Sequence, residues 1–301
     1  AFALAKASDD LHLWSDAWNQ FEKGNVLAKQ RQTWERDRWS DFVKHKLHSP
    51  SLPQDALGSD RQPVFIVGNL RSGTTLMETL LSGHIKTVPR GELNYLAEIA
   101  KLHPETNDIG PTLATRLASD YWTQLRLDGP EDHFYIDKNP LNFRYLDLLF
   151  RLFPDARVIH ITRDGRDSCL SCFTQLFEHT DAAFSNSLDS LVSFYAGYKK
   201  LMAKWEGTYG KQIHSIAYEE LIDSPTAGVK GAIEFLGAEY DEASMGTNDD
   251  MRPVRTASVW QARREVHRNS LDRWRNYHEF SPSFFDQLAQ IDNQYRVTLK
   301  R

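Results

Sequence analysis

The first 48 residues carry hydrophobic side chains at every third or fourth position, a spacing that predicts amphipathic helices. The stretch 2–25 predicts a helix, a short turn and a second helix, with small alanines on the first and aromatic rings on the second. One helical hairpin cannot bury its own apolar face, so it packs on the rest of the chain or belongs to a longer array. The apolar positions are Leu11, Leu13, Trp14, Trp18, Phe21, Leu27, Trp34, Trp39 and Phe42.

A different pattern follows residues 49–62, which are rich in proline, serine, glycine and aspartate and predict a linker. Apolar runs rich in β-branched residues then alternate with helical stretches, which predicts an α/β domain over residues 63–301. We expect a P-loop-like, doubly wound parallel sheet of about five strands, with a closing helix from Pro282. The runs are VFIVG (64–68), HIKTV (84–88), HFYID (133–137), RVIHIT (157–162) and IHSIAY (213–218).

Composition excludes several classes of protein. The chain is 41% hydrophobic and 26% charged, as in ordinary globular proteins, and its net charge of −5 gives no general attraction to nucleic acid. No apolar run is long enough to span a bilayer, and the N-terminal residues lack the pattern of a signal peptide. With two cysteines and no N-glycosylation sequon, we expect a bacterial cytoplasmic location, while a trimmed targeting or anchor segment stays open.

Residues that often bind metals or carry protons form no convincing cluster. Cys169 and Cys172 lie on one face of a predicted helix without a second pair at ligand spacing, so we expect reduced, partly buried thiols and no metal site. Three histidines, His84, His103 and His160, are candidate bases. His160 lies inside a predicted strand, however, and no carboxylate partner for it is apparent.

The stretch GNLRSGTTL, residues 68–76, joins the first predicted strand to a helix. Two glycines keep the spacing of a P-loop, but a threonine replaces the lysine that binds the β- and γ-phosphates. What remains is a cradle for one phosphate, built from backbone N–H groups at the helix start; the alternative is a tight strand-to-helix turn. The candidate ligands are Arg71, Ser72, Gly73, Thr74 and Thr75.

A second phosphate-binding pattern, RDGRDSCLS, follows the strand RVIHIT. Arg163 stands where a nucleotide triphosphatase would carry a metal-binding aspartate, and an arginine can bind a phosphate bidentately. Ser171 follows farther along the next helix. Two separate cradles without metal machinery indicate a nucleotide phosphorylated at two distant positions. In the alternative interpretation, Asp164 and Asp167 only pair with these arginines at the surface.

Together, RSGTTL and RDGRDSCLS resemble the paired 5′- and 3′-phosphate loops of sulfotransferases that use 3′-phosphoadenosine 5′-phosphosulfate (PAPS). The likeness covers roughly residues 63–280 and is greatest to tyrosylprotein sulfotransferases and bacterial tetratricopeptide-linked sulfotransferases. Residues 1–48 suit the bacterial branch as a closing tetratricopeptide repeat, although a plain helical hairpin fits equally. The resemblance implies PAPS as cofactor, 3′-phosphoadenosine 5′-phosphate (PAP) as product, and no required metal.

The resemblance also implies two catalytic residues. Glu92, in VPRGELNYL, matches the family's catalytic glutamate, and a hydroxyl such as a phenol, with a pKa near 10, needs such a base; the alternatives are a solvated carboxylate at a helix start and Glu98 as the base. Lys138, in DKNPLNF, matches the catalytic lysine that stabilises developing charge; its alternative is a pair with Asp137. The run 93–95 departs from the family's more polar sequence and bears on the acceptor.

Further matches to the family lie later in the chain. Tyr218 matches a tyrosine near the nucleotide. Ser258 would approach the phosphosulfate and Arg273 the 3′-phosphate side, and Gln261 falls at a matching position.

These residues predict a PAPS-dependent O-sulfotransferase, with Glu92 as base and Arg71, Lys138 and Ser258 stabilising the transferred group. The alternatives are a nucleotide or small-molecule kinase, which would depend on Mg²⁺ and ATP, and a non-catalytic binding module whose helical front recruits a partner. The acceptor stays open among a peptide tyrosine, a glycan, a lipid and a small phenol. A homodimer is compatible with the sequence.

Overall fold

The computed structural model describes residues 1–50, 62–127, 129–240 and 270–296. The strands are β1 Val64–Gly68, β2 Thr87–Pro89, β3 Phe134–Lys138, β4 Arg157–Thr162 and β5 Ile213–Ala217. The α-helices are α1 Phe2–Asp10, α2 Trp14–Arg31, α3 Arg36–His48, α4 Thr74–Leu81, α5 Tyr95–Leu102, α6 Pro111–Arg126, α7 Leu146–Leu152, α8 Gly165–Phe173, α9 Leu188–Tyr209, α10 Tyr218–Asp223, α11 Pro225–Phe235 and α12 Pro282–Arg296.

The described residues fall into two compact units. A sheet unit takes residues 62–127, 129–162 and 205–240, and a helical unit takes residues 1–49, 163–204 and 270–296. The predicted domain borders at residues 48 and 62 stay predictions, and the central linker residues, 51–61, lie outside the described residues. None of the helices in the described ranges is both long and apolar enough to cross a membrane.

The sheet unit is built on five parallel strands in the order β2-β3-β1-β4-β5. Strand β1 lies at the centre, where Val64 pairs with Ile136 on β3 and with Arg157 on β4. All five residues of β1 are buried, as expected for an apolar run without alternation in a sheet covered on both faces. The predicted fold class, an α/β protein with a five-stranded parallel sheet, is confirmed.

One predicted strand was misplaced. The run 84–88 was expected to form the second strand, but β2 begins only at Thr87. A turn takes the preceding residues: the Thr87 N–H donates to the His84 carbonyl at 3.0 Å, and the Lys86 N–H donates to His84 Nδ1 at 3.3 Å. The turn satisfies these backbone donors locally, and strand pairing starts only after it.

The strand order reverses beside β1. From β1 the chain passes to β2 and β3 on one side of the sheet, and later reaches β4 and β5 on the other. In open parallel sheets, ligands bind at the carboxyl ends of the strands where the order reverses in this way. The first phosphate-binding stretch begins at the carboxyl end of β1, which is the position this rule indicates.

The helical unit has an interior of its own. The Trp18 ring lies 5.1 Å from the ring of Phe173, and Asn25 Nδ2 on α2 donates to the Phe173 carbonyl at 2.8 Å. The predicted helices in residues 1–48 are present as α1, α2 and α3, and the closing helix begins at Pro282 as expected. Both cysteines are buried in α8. The tetratricopeptide identity of the first helices stays a prediction.

Candidate active site

The first loop needs glycine at positions 68 and 73 for steric and backbone reasons. Gly73 has φ +105°, which side chains disfavour, and a Cβ atom there would overlap the Tyr218 ring. A Cβ atom on Gly68 would lie 2.5 Å from the Ile161 carbonyl oxygen and from Ser72 Oγ. Arg71 is held at φ +65°, a left-handed conformation that is uncommon for non-glycine residues and costs backbone strain. The loop is therefore a tightly fitted strand-to-helix turn with a strained arginine.

The loop also has groups suited to an anion. Helix α4 starts at Thr74 without a side-chain cap, and uncapped helix starts present N–H donors and partial positive charge. The Ser72 hydroxyl is buried and makes no hydrogen bond to any described residue, so it is an orphaned donor inside the loop. A phosphate or sulfate oxygen would satisfy it. The loop thus offers groups that suit one phosphate, and its role as a phosphate cradle stays a prediction.

Glu92 and Lys138, which are 46 residues apart in sequence, meet in the sheet unit. Lys138 Nζ lies 2.5 Å from Glu92 Oε1 and 3.9 Å from Glu78 Oε2. The Lys138 side chain is fully buried, whereas the Glu92 side chain is 44% exposed. A buried ammonium thus holds a carboxylate that solvent and an incoming molecule can reach.

Glu92 owes its position to backbone pairing after β2. The chain continues beside β3, with the Arg90 N–H donating to the Ile136 carbonyl and the Lys138 N–H donating to the Gly91 carbonyl, both at 2.9 Å. Glu98, the rival base, is exposed on α5, where its N–H donates to the Asn94 carbonyl at 2.9 Å in the first turn of the helix. Geometry therefore favours Glu92 over Glu98 as the partner of the lysine.

Asp137 does not pair with Lys138, contrary to the alternative interpretation of that lysine. Its carboxylate accepts hydrogen bonds from the Tyr121 hydroxyl, from Asn142 Nδ2 at 3.0 Å and from the Leu93 N–H at 3.3 Å. Burial raises the pKa of Asp137 to about 7, against the opposing effect of these hydrogen bonds. Asp137 therefore has a structural role, joining Tyr121, Asn142 and the backbone at Leu93.

Glu78 is a residue that the sequence reading missed. It lies on α4, one turn after the phosphate loop, and is fully buried. Burial raises its pKa to about 7, although Lys138 and a hydrogen bond from the Gly91 N–H act in the opposite direction. The available signal was a single carboxylate in the apolar helix TTLMETLL, because such helices seldom bury an acid without a partner.

The second phosphate-binding pattern lies in the helical unit. Arg163 follows β4 directly, and its Nη2 donates to the Ser270 carbonyl at 2.6 Å. Ser171 is half-buried on α8. Asp164 caps α8 and pairs with Arg166 at 2.5 Å, as the alternative interpretation held. Asp167 behaves differently, because its carboxylate accepts the backbone N–H groups of residues 272 and 274.

The remaining predicted positions divide into described and undescribed residues. Tyr218 is the first residue of α10, and its ring lies against Gly73. Arg273 pairs with Asp9 at 2.8 Å. Ser258 and Gln261 lie outside the described residues.

One sequence expectation was wrong in detail. His160 has a carboxylate neighbour after all, since its Nδ1 lies 3.0 Å from Glu206 Oε1 and 3.1 Å from Ser215 Oγ. The ring is buried within β4, as expected. The partner was invisible in the sequence because Glu206 comes from α9, 46 residues later.

Known proteins resemble the chain in sequence and in fold. An uncharacterized protein of Aquifex aeolicus (strain VF5) is 26% identical over 311 residues, covering 96% of this chain and 41% of that protein. Protein-tyrosine sulfotransferase A of Caenorhabditis elegans is 24% identical over 60% of this chain and 50% of its own length. The chain therefore spans half or less of the length of these two curated relatives.

A solved structure shares the fold, and a family model matches the sequence. The sulfotransferase domain from the Synechococcus PCC 7002 olefin synthase superposes with a TM-score of 0.57 and 20% identity, covering 80% of this chain and 98% of that domain. A sequence model of the Sulfotransferase family matches residues 63–242, more than half of the chain and including both phosphate-binding patterns. These matches confirm the resemblance inferred from the two loops. The chain belongs to the sulfotransferase family.

Proposed function

We propose that the chain transfers a sulfuryl group from PAPS to the hydroxyl group of an acceptor, with Glu92 as the general base. The observation that carries this proposal is the exposed Glu92 carboxylate held 2.5 Å from the buried Lys138 ammonium. PAPS, when bound, supplies the activated sulfuryl group and leaves as PAP. The protein's own residues have to hold the nucleotide and move the acceptor's proton.

The proposed base and cation have complementary tasks. A hydroxyl oxygen is a weak nucleophile until a carboxylate within hydrogen-bond reach removes its proton. Lys138 contacts the Glu92 carboxylate and supplies a fixed positive charge where negative charge develops. Arg71 and Ser258 would add to this stabilisation, as the family resemblance implies. No metal ion is required by this assignment.

Nucleotide binding is assigned by group. The loop residues Arg71, Ser72, Gly73, Thr74 and Thr75 would hold the 5′-phosphosulfate, and the buried Ser72 hydroxyl supports this role. Arg163 and Ser171 would hold the 3′-phosphate. Tyr218, Gln261 and Arg273 complete the proposed nucleotide-binding set. Arg273 pairs with Asp9, so its guanidinium would have to contact both this carboxylate and the phosphate.

The acceptor is proposed as a hydroxyl compound, with a protein tyrosine as the first choice. The C. elegans relative is a protein-tyrosine sulfotransferase by name, which supports this choice, but the run 93–95 differs from the polar sequence of that branch. Glycans, lipids and small phenols therefore belong in the same test.

The test is transfer of labelled sulfate from PAPS to a panel of these four acceptor classes, with and without EDTA. Glu92→Gln should abolish transfer to the best acceptor while leaving PAP affinity, measured by calorimetry, within about twofold of wild type. The exposed Glu98→Gln is the matched control and should keep normal turnover. Normal turnover of Glu92→Gln would refute the base assignment. Phosphate transfer from ATP that EDTA abolishes would favour the kinase alternative.

A further inference from the structure

Two buried carboxyl groups bracket Glu92 along the backbone. Glu78 Oε1 accepts a hydrogen bond from the N–H of Gly91, immediately before Glu92, at 3.0 Å. Asp137 Oδ1 accepts one from the N–H of Leu93, immediately after it, at 3.3 Å. Both acids are fully buried. The exposed carboxylate thus sits on a short segment whose two flanking amides are each held by an acid from beneath.

Glu78, unlike Asp137, also contacts Lys138. Its other oxygen, Oε2, lies 3.9 Å from Lys138 Nζ and makes no hydrogen bond to any described residue. Since Glu78 stands on α4, one turn after Thr74, a single side chain joins the phosphate-loop helix, the backbone beside Glu92 and the buried ammonium. Burying a carboxylate is costly unless its interactions compensate, and an apolar side chain would fill the same helix position at less cost.

We infer that Glu78 is a positioning residue for the transfer reaction, orienting Lys138 from behind and fixing the segment that carries Glu92. This inference rests on the proposed function. Glu78 touches neither acceptor nor nucleotide in this assignment; it acts through Lys138 and the Gly91 amide. Asp137 secures the same segment on the other side of Glu92.

The charges around Glu78 make its effect dependent on pH. Lys138, Glu92 and Asp137 are the charged or titratable groups that face it, and of the three carboxyl groups those of Glu78 and Glu92 contact the one ammonium. Burial raises the pKa of Glu78 to about 7. Ionised Glu78 binds the Gly91 amide and Lys138 most strongly, and protonation weakens both contacts. Turnover should therefore fall as the pH drops through about 7, in addition to any effect of Glu92 itself.

Glu78→Gln tests this, because glutamine keeps the shape and a carbonyl acceptor for Gly91 but removes the charge that faces Lys138. We expect kcat to fall about tenfold to a hundredfold, since small displacements of catalytic groups have effects of this size. The KM for PAPS and the PAP affinity should stay within about twofold. The decline in kcat near pH 7 should become shallower in the variant; Asp137, whose pKa is also raised to about 7, still titrates there. Glu98→Gln, exposed on α5, should match wild type in every respect.

Wild-type kcat and an unchanged pH profile in Glu78→Gln would overturn the inference. So would a loss of PAP affinity as large as the loss of kcat, because the residue would then act on the nucleotide or on the whole fold. Urea unfolding of the variant at each pH shows whether it is folded during the assay. Glu78→Asp, which restores the charge on a shorter stem, should recover part of the kcat and the pH dependence.

A double-mutant cycle on unfolding separates this inference from the proposed function. The variants are Glu78→Gln, Lys138→Met and the double variant, and their unfolding constants are measured by urea denaturation. A contact between the two side chains predicts a coupling of about tenfold. If wild type transfers no sulfuryl group but the cycle shows coupling, the proposed function fails and the contact stands. Independent, additive effects would overturn the inference whatever the activity.

Discussion

Replacing Gly73 by alanine should destabilise the sheet unit and damage the phosphate loop. At φ +105°, a residue with a Cβ atom pays about 1–2 kcal/mol relative to glycine. The new methyl group would also overlap the ring of Tyr218, which is 9% exposed and lies on α10. Overpacking of this kind costs about 1–3 kcal/mol. We therefore expect the free energy of unfolding to fall by about 2–5 kcal/mol, a large share of the stability of a typical domain.

Urea denaturation followed by tryptophan fluorescence measures this loss, and PAP titration of the folded variant measures damage to the cradle. The matched control is Gly207→Ala on α9, where a Cβ atom meets nothing within 4 Å and alanine should be neutral or stabilise the helix by up to about 1 kcal/mol. In the Gly73→Ala background, Tyr218→Ala should cost less than it does alone, because it removes the overlap. A Gly73→Ala protein with the wild-type denaturation midpoint and PAP affinity would refute the reasoning.

Two further predictions concern the second phosphate-binding pattern and the buried acids. Arg163→Ala should weaken PAP binding by about tenfold to a hundredfold in calorimetry, through loss of a charge-assisted contact, while the exposed Arg38→Ala should not; equal affinities would remove Arg163 from the site. Burial raises the pKa of Asp137 from 3.8 to about 7, so the folded protein retains a proton that the unfolded chain has lost. This group should therefore lower the stability by on the order of 3 kcal/mol as the pH rises from about 4 to about 7. Asp137→Asn should show a correspondingly shallower decline in urea titrations at each pH, and Glu78, whose pKa is also raised to about 7, accounts for the decline that remains. Parallel pH dependences of the two proteins would contradict the assignment.

Local patterns were sufficient where a segment's role depends on its own residues. The run VFIVG is apolar at every position, which predicts a strand buried on both faces, and β1 is such a strand. The glycines of the first loop marked a turn that tolerates no side chain, and the close atoms around Gly68 and Gly73 explain why. The strand predicted over residues 84–88 was misplaced because its first residues form a turn. Where strand pairing begins depends on contacts with the neighbouring strand, which the run itself does not encode.

In the candidate site, the sequence indicates individual residues, whereas the fold determines which of them are in contact. Family resemblance indicates Glu92 and Lys138 separately, and nothing in the sequence indicates that their side chains are in contact. Glu78 was overlooked because an acid in a helix is ordinarily a solvated group. The partner of His160 was missed for a different reason, because Glu206 comes from a helix 46 residues later in the chain.

The order of apolar, glycine and hydroxyl residues along the chain was enough to predict the parallel sheet and the loop after its first strand; the phosphate that this loop would bind stays a prediction. These properties follow from hydrogen bonding and sterics between near neighbours, which the local sequence encodes. The pairing of Lys138 with Glu92, the burial of Glu78 and Asp137, and their elevated pKa values arose only when β3, α4 and the segment after β2 came together. Desolvation and charge proximity depend on distances between remote residues, and those distances exist only in the folded chain.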